Sequence, residues 1–202
     1  MKLFYSETSP YSRKVRMLIH EKGLASRIEA IVCNPFAEAP ELLAENPLGK
    51  VPTLVLEDGM ALYDSPVICA CLDSLDEDTR LIPEAGTARW QVLRREALCD
   101  GILDAAYNIV MERRREAREQ SPSWISEWQG QIERALQQLD DELAGAARLD
   151  DEIALDDIAQ GAALGYLAFR LPELDWRGRH PRLARWYDAF SERESMRATR
   201  PA

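Results

Sequence analysis

Apolar positions recur along this chain with two periods, and the change from one to the other divides it. Leu3-Phe4-Tyr5 is an apolar run of strand length, and Tyr11, Val15, Leu18 and Ile19 follow at the three-and-four spacing of a helix face. Ser9-Pro10 supplies that helix with a hydroxyl N-cap and with a proline whose missing N–H costs nothing in the first turn. Lys22-Gly23 ends it, since glycine takes a left-handed cap without strain. Ile28 to Val32 reads as a second strand, and Thr53 to Leu56 with Met60 to Tyr63 reads as a hairpin about Asp58-Gly59. Ser65-Pro66 repeats the device, a hydroxyl N-cap with proline at the first helical position, and opens a helix whose stripe is Val67, Ile68, Cys71, Leu72 and Leu75. Strands alternating with helices predict an α/β unit.

Beyond the charged stretch from Asp73 to Arg80 and the break at Pro83 to Gly86 the strand pattern ends, and only helical periods remain. Trp90, Leu93, Ala97, Leu98, Ile102, Ala105 and Ile109 mark one long helix; Ile125, Trp128, Ile132, Leu136, Leu139 and Leu143 mark another, started by Ser121-Pro122. Ile158 to Leu167 is rich in Ala and Gly, as expected of a central helix that neighbours approach closely, and Leu183 to Phe190 predicts a last amphipathic helix. Trp124, Trp128, Trp176 and Trp186 fall on these stripes and are expected in the core. The organisation expected is an α/β domain over 1–78, a linker over 79–86 and an all-helical domain over 87–202.

The length, 202 residues with nearly half of them apolar, suits one substantial core or two small ones. A formal net charge of -10 argues against nucleic acid as a partner, so any anionic ligand must be held by local donors. No apolar stretch has the length of a signal-peptide core or a membrane span, and a cytoplasmic location is expected. Four cysteines, Cys33, Cys69, Cys71 and Cys99, and two histidines, His20 and His180, lack metal-ligand spacing. Neither a metal site nor a redox pair is expected. Arg113, Arg114, Arg115 and Arg118 are interleaved with Glu112, Glu116 and Glu119, the composition of a solvated helix face.

Two helix starts and one proline carry the chemistry. Ser9-Pro10 and Ser65-Pro66 each follow a strand and leave free N–H groups at a positive helix end, which attracts anions. Between them lies Asn46-Pro47-Leu48-Gly49-Lys50-Val51-Pro52, where an X-Pro bond that can be cis would turn the Val51 N–H and C=O outward for an extended peptide to pair with. The frame Ser9-Pro10-Tyr11-Ser12 stands where thioredoxin-like oxidoreductases carry Cys-x-x-Cys, with oxygen in place of both sulfurs. With Asp64-Ser65-Pro66 and Ile153-Ala154-Leu155-Asp156-Asp157-Ile158-Ala159, these segments resemble, in order and in spacing, those of the cytosolic glutathione S-transferase superfamily, of the bacterial, serine-type kind.

The resemblance implies a thioredoxin-like N-terminal domain, an all-α C-terminal domain, and glutathione as cosubstrate without a metal. It implies that Val51, with Pro52, pairs with the cysteinyl backbone of glutathione, that Ser65 and its helix receive the γ-glutamyl carboxylate, that Asp64 accepts the ammonium group, and that Lys50 attracts the glycyl carboxylate. Ser9 is the expected thiol activator, with Thr8, Ser12 and Tyr11 as alternatives. Tyr11, Phe36, Tyr107, Met111 and Arg114 are candidates for the pocket of a small electrophile, and Asp157 for the structural half of a helix-capping motif whose hydroxyl is missing at Ala154. The activity implied is glutathione transfer, in a cytoplasmic homodimer engaged in detoxification. Glutathione-dependent reduction of disulfides or peroxides, and a non-catalytic interaction module, are the alternatives.

Overall fold

The computed structural model describes residues 1–34, 36–37, 39–76, 80–145 and 153–201. Its contacts divide the chain into two compact units, Met1–Val92 with Glu194–Ala202, and Leu93–Arg193. The first unit carries a four-stranded sheet of β1 (Lys2–Tyr5), β2 (Glu29–Val32), β3 (Thr53–Val55) and β4 (Ala61–Leu62) in the order β2-β1-β3-β4. β1 runs parallel to β2 and antiparallel to β3, and β3 antiparallel to β4. α1 (Pro10–Glu21) makes the crossover that a parallel pair requires, α2 (Pro40–Glu45) precedes β3, and α3 (Ser65–Ser74) follows β4. This is a thioredoxin-like arrangement.

Alternation along the strands gives the sheet two apolar faces. Phe4 and Val55 pack with Leu42 of α2 on one face, supported by Ile31, Cys33, Ala39 and Val51. Leu3, Tyr5 and Leu54 point to the other, where α1 and α3 pack together. Gly23 closes α1 at φ 63°, and Gly59 turns the hairpin at φ 86°. α9 (Glu194–Ala198) lies on α1: Arg13 donates to the Met196 carbonyl and to Thr199 Oγ1, and the Ser195 hydroxyl to Glu21. α1 is thereby covered on two sides, so Ser12, Arg13 and Lys14 are buried beside its apolar stripe. A buried ion pair ties the far ends of α1 and α3. Lys22 Nζ lies 3.1 Å from Asp73 Oδ1, and the Asp73 carboxylate also accepts from Leu81 N and Ile82 N at 2.8 and 3.1 Å.

The division between units falls within α4 (Gly86–Arg113). The second unit adds α5 (Pro122–Gly145), α6 (Leu155–Arg170), α7 (Trp176–Arg179) and α8 (Pro181–Phe190). α6 is buried on every side from Ile158 to Leu167, and its Ala and Gly residues let neighbouring helices approach. Asp157 accepts from Ala154 N at 2.9 Å; Ala154 has no side-chain acceptor to return the bond. Trp176 belongs to the core, but Trp124 does not: it is 58 % exposed and stacks on half-buried Trp128 at the start of α5. The helical period there continues past the point where another element covers it. Trp186 is half-buried against Phe190. Among the described residues no helix is long and apolar enough to cross a membrane, and no cluster suited to a metal ion occurs.

Candidate functional site

Strand register brings three of the predicted segments to one end of the sheet. Phe4 pairs with Thr53 and Leu54 with Leu62, so the exit of β1, the entry of β3 and the exit of β4 lie side by side in that order. The first leads to Ser9, the second is preceded by Val51, and the third leads to Ser65.

Ser9 caps α1 with extended backbone (φ -77°, ψ 122°), and its Oγ accepts from Ser12 N at 3.2 Å. A hydroxyl that accepts there keeps its own proton to donate elsewhere. The alternatives are placed differently. Thr8 is exposed with its hydroxyl 3.4 Å from Ser6 Oγ, Ser12 is buried with its Oγ 3.5 Å from Ser6 N, and Tyr11 is half-buried. No acidic side chain stands in the first turn of α1 or of α3, which leaves both positive helix ends unneutralised from within.

The Val51–Pro52 peptide is cis. Among the described residues the Val51 N–H and C=O have no hydrogen-bond partner. What holds this loop is buried Asn46, whose Nδ2 donates to Lys50 O at 3.1 Å and to Thr53 Oγ1 at 2.9 Å, while the Thr53 hydroxyl donates to Lys50 O at 2.9 Å. Gly49 makes the turn at φ 61°. The positioning role of Asn46 and Thr53 escaped the sequence reading, although Asn46-Pro47 marked the turn. Pro52 is buried, and the Lys50 side chain is exposed, available as a point charge.

The N-cap residue of α3 is exposed Asp64 and not Ser65, which lies one place inside the helix; Asp64 follows a cis Tyr63–Asp64 peptide and makes no side-chain capping bond. Ser65 is 1 % exposed, and the first turn of α3 keeps its donors uncapped by side chains. Of the proposed electrophile contacts, Phe36 of the first unit is 61 % exposed. In the second unit Tyr107 and Met111 are half-buried along α4, and Arg114 is exposed just beyond it.

The second unit also holds a polar cluster that the helical period concealed. Tyr166 lies on α6, 5 % exposed, one turn before Arg170. Burial pushes its phenol above the ordinary value, against the charges of Arg170 and Arg114 and a hydrogen bond with Arg170; the Tyr107 phenol acts on it in the same sense as burial. Arg170 Nε is buried without a hydrogen-bond partner among the described residues, and the guanidinium sits 4.2 Å over the Phe169 ring. Such a cation–π contact returns about 0.5–1 kcal/mol. An unpaired buried donor costs about 1–3 kcal/mol. Arg170 Nε is therefore under-satisfied among the described residues. Arg113 pairs with Glu173, Arg115 with Glu112 and Glu119, and Arg118 with Glu116, as a solvated charged face should.

Two of the protein's own thiols, Cys33 and Cys71, are pushed away from ionisation. Burial pushes Cys33 and Cys71 up, the former partly opposed by a backbone bond at Tyr5, while Cys69 and Cys99 are buried and in no disulfide.

A thioredoxin-like unit followed by an all-helical unit is the arrangement of the glutathione S-transferase fold. Residues 8–75 match the family model for "Glutathione S-transferase, N-terminal domain", and residues 122–189 that for "Glutathione S-transferase, C-terminal domain". The chain belongs to the glutathione S-transferase family. It is 35 % identical over 201 residues to an uncharacterized GST-like protein, YibF, of Escherichia coli (strain K12), covering 100 % of this chain and 98 % of that one. A glutathione transferase family member from Pseudomonas fluorescens Pf-5, solved with bound glutathione, superposes with a TM-score of 0.91 at 41 % identity, over 100 % of this chain and 98 % of that one. One solved with bound S-(propanoic acid)-glutathione, also from Pseudomonas fluorescens Pf-5, gives 0.87 at 40 % identity, over 100 % of both.

Proposed function

We propose that this protein is a glutathione transferase that ionises the glutathione thiol at Ser9 for attack on a small electrophile. The observation that carries this reading is the Ser9 hydroxyl, occupied as an acceptor by Ser12 N–H and so free to donate, at the positive end of α1. Lowering a thiol from its ordinary pKa by about two units requires about 2.7 kcal/mol in favour of the thiolate. A hydroxyl donating to an anion contributes about 1.5–3 kcal/mol. The helix end adds about 0.3–2 kcal/mol. Together they suffice.

In this reading glutathione lies along the sheet end as an added strand at Val51 and Pro52. Its γ-glutamyl carboxylate takes the donors of Ser65 and α3, its ammonium faces Asp64, and Lys50 draws the glycyl carboxylate. The thiolate then forms a bond to the electrophilic carbon, which in turn gives up a bond, either to a leaving group that departs with the electron pair or the π bond of an activated alkene whose neighbouring carbon takes a solvent proton; the electrophile is contacted by side chains drawn from Tyr11, Phe36, Tyr107, Met111 and Arg114. The relative bound to S-(propanoic acid)-glutathione supports alkylation at sulfur as the reaction type. The working form is taken as a cytoplasmic homodimer, to which the exposed apolar side chains of Met60, Val67 and Leu75 lend support.

The test is the ultraviolet thiolate band of glutathione bound to the protein, followed against pH. Its midpoint should lie about two units below that of the free thiol, and Ser9→Ala should return at least about one unit of the shift. An unshifted midpoint in the natural protein, or one indifferent to Ser9→Ala, refutes the assignment.

A further inference from the structure

The Lys50 carbonyl oxygen accepts two hydrogen bonds, from Asn46 Nδ2 at 3.1 Å and from the Thr53 hydroxyl at 2.9 Å, which occupy both of its lone pairs. Asn46 Nδ2 gives its other proton to Thr53 Oγ1 at 2.9 Å, closing a ring of three groups, and Asn46 Oδ1 accepts from Leu48 N at 3.0 Å. Only an NH2 can donate to a carbonyl and only an oxygen can accept from Leu48 N, so the amide has one orientation. Asn46 and Thr53 are fully buried, and water does not compete for their donors. Thr53 is also the residue of β3 that pairs with Phe4, which ties the ring to the strand leading to Ser9.

The consequence falls on one peptide plane. The Lys50–Val51 peptide is trans, and in a planar trans peptide the C=O and the N–H point in opposite directions. A carbonyl held inward by two buried donors therefore turns the Val51 N–H outward, and the plane cannot rotate without breaking both bonds. We propose that Asn46 and Thr53 are positioning residues for glutathione, which act through the Lys50 carbonyl to hold the Val51 N–H in the direction from which it donates to the ligand's backbone. This role rests on the glutathione reading above. Without the ring the same N–H would sample a range of angles, and a hydrogen bond weakens steeply as it bends. Fixing it beforehand removes an ordering cost from binding.

The experiment is titration calorimetry on the full chain with glutathione and with S-methylglutathione, whose blocked sulfur has no proton to lose. Thr53→Val keeps a β-branched residue of nearly the same shape in β3 and removes the hydroxyl. It should weaken both ligands by about fivefold, and Thr53→Ser, which restores the hydroxyl, should return both to within about twofold of the natural protein. The thiolate band of glutathione bound to Thr53→Val should keep its midpoint, because the ring acts on the peptide and not on the sulfur. Unchanged affinities in Thr53→Val, a loss as large in Thr53→Ser, or a loss confined to glutathione with a moved midpoint overturns the positioning role. Should Thr53→Val not fold, Asn46→Asp puts an acceptor where the NH2 stood while still accepting from Leu48 N. It should weaken S-methylglutathione by about tenfold, and undiminished binding overturns the proposal. Failure of the natural protein to bind either ligand overturns the glutathione reading instead.

Discussion

Replacing Asp73 by alanine should be among the most damaging single changes in the first unit. The Lys22 and Asp73 side chains are 0 % and 2 % exposed, so neither group can turn to water when its partner is lost. Two effects add. Lys22 Nζ loses its carboxylate but keeps the Asp73 and Asp76 carbonyls, at 2.9 and 3.2 Å, which softens the penalty of an orphaned buried charge from the usual ~3–5 kcal/mol toward its lower end. The Leu81 and Ile82 N–H groups, buried and otherwise paired with this carboxylate, lose an acceptor each, and one unsatisfied donor already costs about 1–3 kcal/mol. Allowing for relaxation, the loss should be about 4 kcal/mol, a large share of the ~5–15 kcal/mol by which a domain is stable. Urea unfolding followed by tryptophan fluorescence should show the midpoint falling by about 1.5 M for an m-value near 2.5 kcal/mol/M. The double variant Lys22→Met with Asp73→Leu should lose less, because no charge is then stranded. A loss below about 1 kcal/mol for Asp73→Ala, or a double variant worse than the single, would refute the reasoning.

Two further predictions concern the second unit. Burial alone would raise the Glu142 carboxyl, but hydrogen bonds from Arg94 and Gln138 and the charge of Arg95 outweigh it and hold the group below 4.5. The folded state therefore binds fewer protons, so this contribution to stability is present above pH 4.5 and is lost as pH falls through the depressed value. Melting curves of the natural protein and Glu142→Gln should separate at neutral pH and converge on acidification; a gap that widens in acid contradicts this. Ala154 already has the extended backbone of a capping residue (φ -122°, ψ 173°) opposite Asp157, so Ala154→Ser should complete the reciprocal pair. A gain of about 0.5–2 kcal/mol is expected, against a loss of the same order for Asp157→Ala, both read as shifts in the thermal midpoint.

Those features that rest on local chemistry were legible in the sequence. Ser9-Pro10 and Ser65-Pro66 predicted two helix starts, and Asp58-Gly59 a hairpin, because capping and turn geometry depend on a few adjacent residues. The X-Pro bond that can be cis was legible at Val51-Pro52 on the same grounds, and that peptide is cis. α2 was missed: six residues with only Leu42 buried, and no side-chain cap at Ala39, give no periodic signal. α9 was missed because its partners stand at the other end of the chain, as Arg13 and Thr199 do. Burial of Lys14 and Arg13 on α1 was hidden for the same reason, a second covering helix being invisible to a local pattern. Tyr166 and Arg170 escaped because their neighbours come from α4, and spacing along one helix does not reveal what lies across from it.

The seating of α9 on α1 orders events at the ribosome. The sheet and its first helices emerge early, yet Arg13 and Glu21 must wait for Met196, Thr199 and Ser195, which are translated only after the whole second unit. A nascent chain paused before that point exposes a helix flank built to be covered, and a fragment cut at the boundary between the units would carry the same bare flank into solution. Expression of the sheet-bearing half by itself should accordingly call for residues 194–201 to be supplied in trans or grafted back.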